Sequence, residues 1–192
     1  MKKFFLCTVM AVLVTGVFAQ EQGKMRGGFN LGYCVPKGGG GVCTDLQLGY
    51  NLQDNMNVGI RLGLAAMAKI GPEGENATLA ANYNFLCTYA YYFNSGASSF
   101  APFVGGALGR YTFGGATFGN SSVSVDVGPR FGGALSAGFE AKRFRLAAEY
   151  NLVPSSPVTV TDNSVEVKNK SIRNSYLTVT FGFYVGGGKW KK

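Results

Sequence analysis

The stretch Phe144–Leu152, FRLAAEYNL, decides the fold of this 192-residue chain. Every second residue from Phe144 is apolar, whereas arginine, alanine, glutamate and asparagine stand between them. Successive side chains of a β-strand point to opposite faces, so one face of this segment is apolar and the other polar or small. The period of two therefore predicts a half-buried strand.

Seven further segments repeat this alternation, and turn residues separate them. The eight predicted strands are Gly28–Val35, Val42–Leu52, Asn57–Lys69, Ala77–Phe93, Phe100–Phe113, Arg130–Glu140, Phe144–Leu152 and Tyr176–Val185. The connections after the second, fourth and sixth strands are short, and those after the odd-numbered strands are longer or rich in glycine and serine. This rhythm predicts an all-β fold, an eight-stranded antiparallel up-and-down barrel. The glycine-rich segment Phe100–Phe113 does not reveal which of its faces is apolar.

The N-terminus reads as a cleaved signal peptide over residues 1–19, followed by one barrel domain over residues 20–192. Lys2 and Lys3 precede the apolar run Phe4–Phe18, and Val17-Phe18-Ala19 offers small residues for cleavage. The apolar run is shorter than the roughly 20 residues of a membrane-spanning helix. Export across the inner membrane is therefore expected.

The composition is basic but poor in charge. The chain carries 18 Lys and Arg against 10 Asp and Glu, and charged residues make up only 15% of it. Water-facing surfaces usually carry about 25–35% charged residues. The sequence lacks a basic helix or an aromatic RNA-binding motif, so contact with anionic lipid is expected and a nucleic-acid partner is not.

Alternation alone does not say whether the apolar face points to lipid or into a soluble core, and a lipocalin-like secreted barrel is the competing interpretation. Small residues dominate the polar face, which suits the narrow interior of an eight-stranded barrel. Bulky aromatics such as Tyr33, Tyr50 and Tyr150 lie on the apolar face, many toward strand ends, as interfacial girdles require. We therefore predict a transmembrane barrel with a polar lumen.

Charged residues on the predicted lumen face form a candidate polar network. A basic side chain at the lipid midplane would cost roughly 2–4 kcal/mol, whereas inside the lumen it can pair. Arg61 is expected to reach the region of Asp45 across one hairpin, and Arg145 to meet Glu140 diagonally. The predicted members are Asp45, Arg61, Glu140, Arg145 and Glu149.

Cys34 and Cys43 flank the loop predicted at Pro36–Gly41, whose glycines read as a flexible tip. Both cysteines fall on the lumen face, so they either form a disulfide in an oxidising envelope or remain free thiols. Cys87 falls on the apolar face and reads as an unpaired small hydrophobe.

Two short alternating segments between the seventh and eighth strands predict a ribbon that extends those strands beyond the membrane. Asp162-Asn163-Ser164 joins them, and Ser122–Val127 extends the sixth strand in a similar way. Such strand edges can recruit an extracellular protein by β-augmentation, or they can simply outlast the bilayer. The ribbon residues are Val158, Val160, Val165 and Val167.

Two segments of the chain, APFVGGALG at Ala101–Gly109 and NSYLTVTFGFYVGGG at Asn174–Gly188, carry a family resemblance. With them the chain resembles the small outer-membrane barrels of the OmpA/OmpX-like superfamily, in particular the porin-family barrels of Bacteroidetes-type bacteria. The resemblance implies location in a Gram-negative outer membrane and insertion by the barrel-assembly machinery, which commonly reads a final aromatic residue. It implies no single activity.

The chain contains no histidine, which removes histidine-dependent bases and metal ligands. We expect no enzymatic activity and no cofactor or metal. The leading hypothesis is a monomeric outer-membrane barrel with a structural or surface-interaction role through its extracellular loops. A narrow passive channel and a soluble ligand-binding barrel are the alternatives.

Overall fold

The computed structural model describes residues 21–70, 77–93, 99–118, 123–125, 128–162, 165–172 and 174–188. The predicted signal peptide, residues 1–19, lies outside the described residues. In this described part of the chain, no helix is long and apolar enough to cross a membrane. The strands are β1 (Met25–Pro36), β2 (Gly39–Gln53), β3 (Met56–Ile70), β4 (Ala77–Tyr92), β5 (Phe100–Phe118), β6 (Val123–Val125), β7 (Pro129–Ala141), β8 (Phe144–Leu152), β9 (Ser156–Asp162), β10 (Val165–Ile172) and β11 (Tyr176–Gly186).

Eight of these strands form a closed antiparallel barrel in the order β1-β11-β8-β7-β5-β4-β3-β2. Pairing of β1 with β11, from Arg26 opposite Gly186 to Pro36 opposite Tyr176, closes the sheet on itself. Closure leaves the barrel without a free strand edge. The predicted eight-stranded up-and-down barrel is confirmed.

The first and last described residues, Glu21 and Gly188, lie at one edge of the barrel, here called the terminal edge. Glu21 N donates a hydrogen bond to Gly187 O there, and Gln22 N donates one to Asp54 in the β2–β3 turn. The β7–β8 turn at Lys142–Arg143 belongs to the same edge, because Tyr184 N donates to Arg143 O. The opposite edge, where β1 meets β2 at Lys37–Gly38, is the loop edge.

The deciding segment β8 shows how the sequence pattern becomes two surfaces. Its residues alternate strictly between exposed and buried from Phe144 to Leu152. Arg145, Glu149 and Asn151 are at most 9% exposed and point into the barrel. The apolar residues of the strand point outward, as predicted for a transmembrane barrel.

As in β8, large apolar side chains point outward around the whole barrel. Leu31 is 58% exposed, Leu62 56% and Leu135 62%, although each lies in a strand. Burying one such side chain is worth about 1.5–3 kcal/mol, so a surface of this kind is unfavourable in water. The apolar outer face is the surface that lipid would cover.

Aromatic pairs on this outer face gather toward the terminal edge. The rings of Phe100 and Phe139 are 5.1 Å apart, and those of Phe144 and Phe181 are 5.5 Å apart. Such clusters match the interfacial girdle of an outer-membrane barrel.

The structure fixes the facing of β5, which the sequence left open. Ala101, Phe103 and Tyr111 are buried in the lumen, whereas Val104 and Leu108 are exposed outside. Register with β4 and β7 imposes this choice, because glycine and alanine occur on both faces of β5.

The prediction of a loop at Pro36–Gly41 is wrong. The connection is only Lys37–Gly38, and the following glycines begin β2. Gly38 has a φ of +75°, which suits a tight turn. At Gly40 the Tyr33 hydroxyl occupies the space that a side chain would need. These glycines therefore allow close packing within a strand and do not form a loop. The connection after the first strand is short for this reason.

The predicted ribbon forms a separate sheet instead of extending the barrel strands. β9 pairs with β10, placing Val160 opposite Val167 and Asp162 opposite Val165. β6 pairs with the other side of β9, placing Val125 opposite Val158. The sheet order is β10-β9-β6, so the segments after β5 and β8 meet in one three-stranded unit.

Candidate functional site

A buried charged cluster fills the lumen near the terminal edge. Glu140 on β7 is 3% exposed, and both of its carboxylate oxygens accept hydrogen bonds of 2.9 Å from Arg26 Nη2. The Tyr92 hydroxyl donates to Glu140 Oε1 at 2.7 Å and accepts from Arg26 Nη1 at 3.2 Å. This arrangement satisfies the carboxylate from two sides.

Arg145 shares the same carboxylate. It lies directly opposite Glu140 in the β7–β8 register, and its Nη1 is 3.6 Å from Glu140 Oε1. Its guanidinium carbon lies 3.9 Å from the centroid of the Phe103 ring, a cation–π contact. One carboxylate therefore serves two buried guanidinium groups. The contact that we expected between Arg145 and Glu140 is present, but it is direct and not diagonal.

A second ion pair crosses the middle of the lumen. Arg61 on β3 donates to both oxygens of Glu149 on β8, at 2.6 and 2.8 Å. Gln47 stands directly opposite Arg61 in the register and Asp45 lies diagonal to it. Asp45 and Arg61 line the same cavity, but the ion pair of Arg61 is with Glu149. The lumen of an eight-stranded barrel is narrow enough for arginine to span it.

Asp45 belongs to a chain of side-chain hydrogen bonds beside these pairs. Its Oδ1 accepts from Asn30 Nδ2 at 2.6 Å. Asn30 also donates to the Tyr184 hydroxyl at 3.0 Å, and that hydroxyl donates to Gln47 Oε1 at 2.8 Å. Arg145 Nη1 reaches the Tyr184 hydroxyl at 3.4 Å. The chain joins the terminal-edge cluster to the middle of the lumen.

Bulky side chains close the lumen toward the loop edge. Met67, Leu86, Phe113 and Tyr176 form a buried apolar cluster with Tyr111. The Tyr111 hydroxyl donates to Asn151 Oδ1 at 3.0 Å, which anchors the ring. Inward-pointing aromatic side chains thus fill the lumen toward the loop edge, whereas the ion pairs lie at its middle and near the terminal edge.

A cavity of about 40 Å³ remains between the two closures, lined by Asp45, Arg61 and Glu149 among others. A single water needs roughly 10–15 Å³ by this measure, so the cavity holds only a few waters. The lumen is therefore polar and largely filled by side chains.

Cys34 and Cys43 are both free thiols in the structure. Cys34 stands opposite Gly41 and Cys43 opposite Gly32, which places the two cysteines diagonally across the β1–β2 hairpin. Cys34 is buried in the apolar cluster, and Cys43 packs against it. Cys87 is exposed on the outer face.

All five residues of the predicted lumen network point into the barrel. The expected contact between Arg145 and Glu140 is present, whereas Arg61 forms its ion pair with Glu149. Arg26, Tyr92 and Tyr184 were not predicted as members. Arg26 has the same strand parity as Asn30, so extending the first strand by two residues would have found it. Among the described residues, no three Cys, Asp or Glu side chains are grouped to hold a metal.

No protein-family model matches the chain, and no curated protein matches it in sequence. Solved structures match it in fold. The outer membrane protein OprG from Pseudomonas aeruginosa superposes with a TM-score of 0.61 at 14% identity, covering 88% of this chain and 99% of OprG.

This is the fold of a small outer-membrane β-barrel. The N-terminal β-barrel domain of Pseudomonas aeruginosa OprF matches with a TM-score of 0.43 at 13% identity, covering 86% of this chain and 100% of that domain. Neisserial surface protein A matches with a TM-score of 0.47 at 13% identity, covering 83% of this chain and 95% of its own. The match to OprG confirms the eight-stranded barrel fold that the resemblance implies.

Proposed function

We propose that this chain is an exported, monomeric protein of a Gram-negative outer membrane, inserted by the barrel-assembly machinery. We further propose that its role is non-catalytic, either structural or in surface interaction through its extracellular loops. The apolar outer face around a polar lumen carries this proposal, because only a lipid environment makes that surface favourable. Heat-modifiable migration on gels and extraction only by detergent are expected, and recovery as a soluble periplasmic protein would end the membrane proposal.

The β6-β9-β10 sheet is the proposed contact surface for an extracellular protein. β9 lies in the middle, so β6 and β10 each present one side that is unpaired among the described strands. Backbone donors and acceptors on such edges can pair with an added strand.

The β6-β9-β10 sheet is expected to lie on the outer side of the membrane. A protease recognition sequence inserted between Asp162 and Val165 should be cut on intact cells, because the loop edge is proposed to face outward. The same sequence inserted between Asp54 and Asn55, at the terminal edge, should be cut only after the outer membrane is permeabilised. Immunoblotting of the fragments measures both, and the reverse pattern would contradict the proposed orientation.

A narrow channel is the alternative function, and the contacts inside the lumen argue against it. Two sets of contacts oppose conduction, the terminal-edge charged cluster and the Arg61–Glu149 pair that bridges the lumen. The purified barrel should give no stepwise current in planar bilayers, with insertion checked by flotation of parallel vesicles. Reproducible conductance steps from inserted protein would overturn the plugged-lumen account.

A further inference from the structure

One charged side chain lies on the face that is otherwise apolar. Arg110 on β5 is exposed and shares the outward parity of Val104 and Leu108. Among the barrel-strand residues whose side chains are described, it is the only charged residue on the outer face. Within the same described residues, its guanidinium has no ion-pair partner. A cation in this position requires an explanation, because lipid-facing arginine is unfavourable away from the interfaces.

The position of Arg110 along the strand places it at the loop-edge interface. It follows Phe100, at the terminal edge, by ten residues of continuous strand. At 3.3 Å per residue and a tilt near 40°, that distance corresponds to about 25 Å across the membrane, the height of the apolar band. Phe85 and Phe131 stand opposite Arg110 on the neighbouring strands. The guanidinium thus lies at the level of lipid headgroups.

An apolar groove runs on the outer face directly beneath this arginine. It is lined by Cys87, Gly106, Leu108, Gly133, Leu135 and Leu152, is open to the outside and has a volume of about 530 Å³; we call it the Gly106 groove. In the register of β5 with β7, Leu108 stands opposite Gly133 and Gly106 opposite Leu135, on the terminal-edge side of Arg110. Because the two glycines lack side chains, the leucine side chains beside them form the walls of a depression. An added Cβ at Gly106 would come no closer than 3.7 Å to its nearest neighbour, the Ala134 carbonyl oxygen, so the space above it is open.

We propose that Arg110 and the Gly106 groove together bind the phosphorylated glycolipid of the outer leaflet, of the lipid A class. An acyl chain lies in the groove, and the guanidinium binds the phosphate above it. Arginine suits phosphate because its planar donors can bind two oxygens at once. This inference rests on the proposed membrane location and orientation, since only then does the loop edge meet the outer leaflet.

The test uses the full mature chain purified in detergent micelles, with bound lipid counted by native mass spectrometry. The probes are bis-phosphorylated lipid A, its dephosphorylated form and phosphatidylglycerol. Arg110→Gln removes the cation, and Gly106→Leu fills the groove where a Cβ has room. The matched controls are Arg143→Gln, the same charge change at the terminal edge, and Gly27→Leu, which fills a different apolar groove.

Each site variant should weaken lipid A binding by about tenfold, and dephosphorylation should abolish the effect of Arg110→Gln. The two controls should bind lipid A as the parent chain does. Unchanged binding by Arg110→Gln, or an equal loss in Gly27→Leu, would overturn the site. Tighter binding of phosphatidylglycerol would overturn the choice of occupant. A parent chain without heat-modifiable folding in detergent would instead refute the proposed function.

Discussion

Replacement of Glu140 by alanine is expected to lower the free energy of unfolding by about 3–5 kcal/mol. Glu140 is the carboxylate that both Arg26 and Arg145 contact, and all three side chains are buried. Its removal leaves two guanidinium groups in the lumen without a counter-charge and deprives the Tyr92 hydroxyl of its acceptor. A buried charge without a partner is more costly than a broken surface pair.

Urea titration of the barrel refolded in phospholipid vesicles, followed by heat-modifiable gel migration, measures this effect. Glu140→Gln should cost less, because the amide oxygen still accepts from Tyr92 or Arg26. Glu21→Ala removes the same charge outside the strands and should change stability by less than about 0.5 kcal/mol. Adding Arg26→Met to Glu140→Ala should recover part of the loss, since one of the two orphaned charges disappears. A Glu140→Ala barrel within 1 kcal/mol of the parent would contradict the structural role of the cluster.

Replacement of Leu31 by arginine is expected to lower the free energy of unfolding by about 2–4 kcal/mol. Leu31 lies at the centre of β1, is 58% exposed and points outward. β1 runs from the terminal edge to the short hairpin at Lys37, so its centre lies near the bilayer midplane. An exposed position would tolerate arginine easily in water, whereas in hydrocarbon the guanidinium must be desolvated or must draw water inward.

The matched control is Val35→Arg on the same face of the same strand. Val35 is 45% exposed and lies one residue before the end of β1, at the loop-edge interface. There the cost should fall to about 0–1 kcal/mol, because the guanidinium reaches the headgroups. The unfolding free energies of both variants in vesicles give the depth dependence. Equal and small effects at Leu31 and Val35 would mean that water covers the outer face.

Local periodicity was sufficient to predict the barrel but not all of its loops. The two-residue pattern at Phe144–Leu152 depends only on neighbouring residues, and its direction followed from where charges and aromatics fall. The glycines at Gly39–Gly41 led to the wrong prediction of a loop, because glycine occurs both in turns and where strands pack tightly. Only the position of Tyr33 against Gly40 distinguishes the two.

The sequence predicts which residues face the lumen, but it does not predict which of them pair. The facing of Arg61 and Glu149 follows from parity, which is a local property. Their pairing depends on closure and stagger of the barrel, which bring β3 and β8 to face each other across the lumen. Arg26 escaped notice for a different reason, since the predicted first strand began two residues after it. The facing of β5, which its sequence left open, needed the register of its neighbours.

A nitroxide scan along β8 in lipid vesicles tests most directly the claim that the apolar face meets lipid. With the native cysteines replaced, single cysteines at Leu146, Ala148, Tyr150, Ala147 and Asn151 would each carry a spin label. Labels at Leu146, Ala148 and Tyr150 should collide with oxygen, which dissolves in hydrocarbon, and not with a water-soluble nickel chelate. Labels at the two lumen positions should collide with neither. Strong collision of the nickel chelate with the three outward labels would place that face in water and contradict the account.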